Sequence, residues 1–191
     1  MRSMIRPLPS LSLVLAVLVM GLLAGSPAPA SGQVPPVPKL ERLPEFSVVT
    51  LDGKKFAASD LRGKVVLLDF WATWCVPCLQ ATPHLKSLAA SLAKDNFMIL
   101  GISVDDDGQR LQSYVAKEKI GWPQYWDRSK MLTYRTFQIS TFPTYLVVDP
   151  EGKVVYQSRG WSDKVLKDLE TNVRKAVQNA KQKKGGAKKA R

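Results

Sequence analysis

The sequence predicts an α/β fold with a mixed central sheet flanked by helices, and three stretches of chain carry that prediction. Two short, nearly continuous apolar runs, 65–70 and 96–104, have the composition of strands buried on both faces. Between them, residues 76–93 place Leu85, Leu88 and Leu92 on one helical stripe. Such a helix is the crossover that lets two strands lie side by side in parallel. Further on, 144–148 and 153–157 flank Asp149-Pro150-Glu151-Gly152, a turn sequence that folds its neighbours into an antiparallel hairpin.

Taken in order, the chain begins with Arg2 and Arg6, an apolar run from Leu11 to Ala24 and the small residues Ala28-Pro29-Ala30, the layout of an export signal. The run is closer to the roughly 10–14 residues of a signal core than to the 20 or so that cross a bilayer. Cleavage near Ala30 is the favoured outcome, with retention as an N-terminal membrane anchor the alternative. Residues 31–40, rich in proline and small residues, form a linker. A single domain fills 41–179, and 180–191 is a basic, disordered tail. The domain opens with an N-terminal β-hairpin, 46–50 and 54–56, because Asp52-Gly53 supplies the positive φ of a tight turn. The strand 65–70 leads directly into Cys75, and Pro83 is expected to kink the helix that follows. After the strand 96–104, Asp105–Gly108 is a solvated polar turn before an inserted helix over 109–119. A short helix over 128–137 follows the aromatic stretch Trp122, Tyr125 and Trp126, and a final helix spans 163–178.

The chain has 191 residues and a net charge of +12, which invites a nucleic-acid reading. Its distribution argues otherwise. Residues 31–173 carry 18 basic and 16 acidic side chains, whereas 174–191 carry eight basic residues and no acid. The positive charge is a tail and not a face, and no lysine or arginine stripe interleaved with aromatics runs through the middle of the chain. Nucleic acid is therefore not an expected partner, and the tail suits anionic lipid or an acidic protein better.

The two cysteines, Cys75 and Cys78, lie three apart at a strand-to-helix junction. A loop that small does little to staple a fold, so the pair is read as chemistry. At the N-cap, Cys75 faces unpaired first-turn N–H groups and the positive end of the helix dipole, which favour its thiolate. Cys78, one turn in and expected to be more buried, would resolve what Cys75 attacks. Pro77 falls in the first turn, where its missing N–H costs no helical bond. Zinc needs about four ligands, and two cysteines and one histidine do not supply them; Leu79 stands where covalent haem attachment wants histidine. No metal or other cofactor is expected, because the cysteines carry the electrons. His84, the lone histidine, reads as a helix-surface residue.

The segment Asp69-Phe-Trp-Ala-Thr-Trp-Cys-Val-Pro-Cys78 resembles the active-site segment of thioredoxins, and more narrowly that of exported TlpA/ResA-like thiol–disulfide oxidoreductases. Pro44-Glu-Phe46, Leu51-Asp-Gly53, Phe142-Pro-Thr144 and Asp149-Pro-Glu-Gly152 are similar to the same family, so the resemblance extends from about Pro44 to Leu169. It implies a thioredoxin fold and dithiol–disulfide exchange with exported proteins, in the direction of reduction, as in the maturation of cytochrome c or copper sites. It also implies a periplasmic or otherwise extracytoplasmic monomer served by a membrane redox donor. In the family's terms Pro143 matches the cis-proline beside the cysteines, and Phe142 would offer backbone to a substrate strand. Asp69 matches the buried carboxylate beneath the resolving cysteine, a proton acceptor for Cys78. Trp74, Val76 and Pro77 complete the substrate-facing surface. One departure stands out: ResA-like proteins often carry glutamate three residues after the second cysteine, and this chain has Ala81. The rival readings are a thiol peroxidase, which would attack peroxide with one cysteine, and a copper-binding chaperone using Cys75, Cys78 and His84 as soft ligands.

Overall fold

A computed structural model describes residues 39–189, with side chains to residue 186. The expected export signal or anchor at 1–30 and all but the end of the 31–40 linker lie outside the described residues. No described helix is long and apolar enough to cross a membrane.

Among the described residues, seven strands and three α-helices follow one another: β1 Ser47–Val49, β2 Lys55–Ala57, β3 Val65–Trp71, α1 Val76–Ser91, β4 Phe97–Ser103, α2 Gly108–Lys117, β5 Gln124–Trp126, β6 Thr144–Val148, β7 Val154–Arg159 and α3 Asp163–Lys189. The main sheet has the order β5-β4-β3-β6-β7. Strand β3 runs parallel to β4 and antiparallel to β6, so the sheet is mixed, and β3 lies at its centre. This is the thioredoxin fold that the family resemblance implies, with the β1–β2 hairpin as a separate two-stranded unit. Gly53 takes a φ of 78° at the tip of that hairpin, the left-handed conformation that a side chain disfavours. Leu51 donates its backbone N–H to the Gln124 carbonyl at 2.8 Å, tying the hairpin to β5.

Strand β3 is buried along its whole length, as its unbroken apolar run requires. Val65 and Leu67 face one way and pack with Ala81, Leu85 and Leu88 of α1 and Leu169 and Val173 of α3. Val66, Leu68 and Phe70 face the other way into a second core with Ile102, Phe137 and Leu146. Asp69 therefore interrupts an otherwise apolar strand on the face covered by α1.

Several boundaries differ from the sequence-based expectation. Strand β5 arises in the aromatic stretch, which carries no strand signal of its own; it is three residues long, follows Pro123, pairs in the main sheet with β4 and meets the hairpin through a Thr50–Tyr125 bridge. At a sheet edge a short segment takes its conformation from its neighbour. The helix expected over 128–137 is one π-helical turn, Leu132–Thr136. Asp127 sets it by accepting from the Thr133 backbone N–H at 2.7 Å and from the Thr133 hydroxyl at 2.8 Å. The last helix runs past 178 to Lys189, through residues read as a disordered tail. Lys181 pairs with Asp95 at 2.5 Å and Lys183 with Glu151 at 3.0 Å, and the run is rich in good helix formers.

Candidate active site

The C-terminal end of β3 delivers Ala72-Thr73-Trp74 to the N-terminus of α1, and Cys75 is the cap of that helix. Its Sγ accepts a hydrogen bond from the Cys78 backbone N–H at 3.3 Å, satisfying one of the orphan donors at a helix start. Cys75 and Cys78 are joined by a disulfide, with their Cα atoms 5.3 Å apart. Pro77 occupies the first turn, where no donor is missed.

The cysteines differ by position and not by burial. Cys75 is 5% exposed and Cys78 4%, against the expectation that Cys78 would be clearly the more buried. Both cysteines belong to one buried cluster with Trp71, Ala72 and Val104. What distinguishes Cys75 is its place at the positive end of the helix dipole and its neighbours, since Trp74 is 50% and Val76 61% exposed. Phe142 packs on the same cluster, with its ring centroid 6.0 Å from that of Trp74 and 6.3 Å from that of Tyr134. The Phe142–Pro143 peptide bond is cis. Met131, Tyr134, Trp74 and Val76 are the exposed large apolar residues of these segments.

Beneath the helix, Asp69 is paired in register with Gly101 on one side and Tyr145 on the other. It stands in β3 between Leu67, which packs with Ala81, and Trp71, which packs with both cysteines. Burial raises its carboxyl pKa from 3.8 to about 7, so near neutral pH it can both hold and give up a proton. Burial and the Asp69 charge together push the Tyr145 hydroxyl well above its ordinary value. Ala81, where related proteins often carry glutamate, is fully buried in the apolar core.

His84 lies on the α3 side of α1, its Nε2 3.6 Å from Glu170. Among the described residues no group of three or more histidine, cysteine or acidic side chains is placed to hold a metal ion.

Asp105 is the largest departure from the sequence reading. Expected in a solvated turn, it is buried, and its carboxylate accepts from the Thr73 backbone N–H at 3.0 Å, the Thr73 hydroxyl at 2.5 Å and the Ser103 hydroxyl at 2.6 Å. It thereby clamps the residue two before Cys75. Asp107 instead caps α2, accepting from the Gln109 N–H at 2.9 Å, and Asp106 pairs with Lys130 at 2.5 Å. Trp71 is also buried, and its Nε1 donates to Gln124 Oε1 at 2.9 Å. The signal for Asp105 was its place just past β4, since parallel neighbours end together at the edge where β3 delivers Thr73.

Residues 40–157 match the AhpC/TSA family. The thiol-disulfide oxidoreductase ResA of Bacillus thuringiensis (strain Al Hakam) is 32% identical over 117 residues, covering 61% of this chain and 67% of that protein. Among solved structures, a thiol:disulfide interchange protein of the thioredoxin family from Chlorobium tepidum TLS superposes with a TM-score of 0.63 at 27% identity, over 73% of this chain and 97% of that one. The thioredoxin domain of the thiol-disulfide oxidoreductase BVU-2223 from Bacteroides vulgatus superposes with a TM-score of 0.61 at 28% identity, over 69% of this chain and 95% of that one.

Proposed function

The chain belongs to the AhpC/TSA family and is a ResA-like thiol–disulfide oxidoreductase of the thioredoxin superfamily; on that premise we propose that it reduces exported proteins through Cys75-Val76-Pro77-Cys78. The observation that carries this reading is the Cys75–Cys78 disulfide at the start of α1, with Cys75 as the cap.

In the reduced enzyme the Cys75 thiolate attacks one sulfur of a substrate disulfide. That S–S bond breaks, the other substrate sulfur leaves as a thiolate and is protonated, and a Cys75–substrate disulfide forms. Cys78 then gives its proton to Asp69 and attacks Cys75 Sγ. The enzyme disulfide closes, the second substrate thiol departs, and two electrons have passed to the substrate. The raised pKa of Asp69 supports its role as acceptor, because a carboxyl near 7 exchanges protons easily at neutral pH. The exposed Trp74 and Val76, with the half-buried Phe142 beside them, the buried cis-Pro143 beneath and Pro77 fixing the first turn, form a surface suited to a polypeptide segment. A dithiol donor at the membrane would restore the reduced enzyme, and apocytochrome or copper-site cysteines are the substrate class. An extracytoplasmic site of action follows from the Arg2–Ala30 export layout.

Reduction of insulin disulfides tests the activity: turnover by the wild type and its loss in Cys75→Ser is the expected result, and equal rates would overturn the reading. Direction is tested by equilibrium titration against dithiothreitol. A potential toward the thioredoxin value of about −270 mV fits a reductant, and one near −120 mV makes the protein an oxidant. The thiol peroxidase rival predicts rapid peroxide consumption by the reduced protein, and exchange chemistry predicts none above the rate of a free thiol.

A further inference from the structure

A register row crosses the main sheet on the face that α1 covers. Gln124 of β5 pairs with Gly101 of β4, Gly101 with Asp69 of β3, and Asp69 with Tyr145 of β6. Residues in register share a face, so these four positions stand side by side. Gln124 is 3% exposed, and its Oε1 accepts from Trp71 Nε1 at 2.9 Å. An indole N–H can only donate, so this bond fixes which end of the amide is oxygen. The other end, Nε2, is buried with no hydrogen-bond partner. The amide lies directly over Gly101: a Cβ at that residue would sit 2.1 Å from Oε1 and 2.5 Å from Nε2. Glycine is thus required at 101 for the Gln124 amide to fill the space next to Asp69, one strand spacing of about 4.8 Å away.

The other groups around Asp69 supply no positive charge that would hold its ionised form. Helix α1 carries Cys78 in its first turn and His84 farther along. From β6 comes Tyr145, whose hydroxyl is likewise buried without a partner. On α3, Glu170 pairs with His84 at 3.6 Å and with Arg174 at 2.7 Å. Burial alone raises the Asp69 carboxyl.

We infer that Gln124 is a positioning residue for the resolving step: its Nε2, held over Gly101 by Trp71, is the donor that meets the Asp69 carboxylate whenever Asp69 is ionised and ready to take the Cys78 proton. The inference rests on Asp69 being the acceptor proposed above. A hydrogen bond to the charged form favours that form. Without it Asp69 stays protonated to higher pH and takes the Cys78 proton less readily at neutrality.

The reduced protein reacted with 5,5′-dithiobis(2-nitrobenzoate) separates the two steps, since attack by Cys75 releases the first thionitrobenzoate and attack by Cys78 on the mixed disulfide releases the second. The rate of the second release is measured against pH. Gln124→Met, similar in shape and without the donor, is expected to move its limb upward by about one to two pH units, slowing it at pH 7 by roughly fivefold or more. Gly101→Ala, which pushes the amide aside without altering it, is expected to shift the limb in the same direction. An equal slowing of both releases would mark a merely structural role and overturn the inference. Asp69→Asn separates the two levels: if it leaves the limb in place, the Asp69 reading falls and this inference with it. If Asp69→Asn removes the limb and Gln124→Met leaves it unmoved, Gln124 alone is excluded. The reduced wild type offers a test without any substitution, because the Gln124 side-chain NH2 resonances should titrate with Asp69; a flat response contradicts the proposal.

Discussion

Asp69 is a carboxyl on the centre strand of the sheet, and its burial has a consequence for stability as well as for chemistry. With a pKa of about 7 in the folded protein and 3.8 as an ordinary carboxyl, the folded state holds one proton more than the unfolded state between those values. Stability from this group is therefore fully present below about pH 4 and is lost as pH rises through 7, by on the order of 4 kcal/mol. Asp69→Asn removes that loss. Urea denaturation should find the variant more stable than the wild type by a few kcal/mol at pH 8, with the difference shrinking toward pH 4. Equal stability at pH 8 would mean that the carboxyl is not held in an unfavourable ionised state. Cys75 and Cys78 were legible because they stand three apart at a strand-to-helix junction, and Asp69 was singled out only through the resemblance of the segment that holds all three. Gln124 and Asp105 were not, because their partners Trp71 and Thr73 lie 53 and 32 residues away in the chain. Only the strand pairing brings them together.

At the scale of elements, the working unit is the end of β3, the first turn of α1 and the loop after β4 that carries Asp105. Helix α1 would present Cys75 wherever its N-terminus pointed; Asp105 fixes that point through Thr73. Replacing Asp105 by alanine leaves the Thr73 N–H and hydroxyl buried without their acceptor. It should cost about 2–4 kcal/mol in denaturant unfolding and slow the first attack by Cys75 as well. A surface-like effect under 0.5 kcal/mol would contradict the clamp. The strands β3 and β4, the helix between them and the β6–β7 hairpin follow from periodicity and turn residues that are local. The π-helical turn and β5 do not, since Asp127 and the edge of β4 impose them from outside the segment.

The whole molecule joins a near-neutral domain to a strongly basic end. The extension of α3 past the domain core is held by the Lys181–Asp95 and Lys183–Glu151 pairs, in which both lysines are well exposed. Exposed pairs contribute little, typically below about 1 kcal/mol each. Deleting residues 181–191 should therefore shift domain stability by no more than about 1–2 kcal/mol and leave the insulin-reduction rate unchanged; a loss of activity would give the basic end a part in exchange. The mixed character of the sheet was legible because a parallel crossover and a closing hairpin each leave a local signal. The length of α3 was not, because glycine, lysine and alanine alone do not distinguish a solvated tail from a helix held by distant acids. The proposed exchange requires Cys75 to attack and Cys78 to resolve, and trapping tests this most directly. Cys78→Ser, challenged with a disulfide-bonded protein and mapped by peptide mass, should accumulate a mixed disulfide at Cys75, while Cys75→Ser accumulates little at Cys78. Equal trapping at the two cysteines, or none at Cys75, would contradict it.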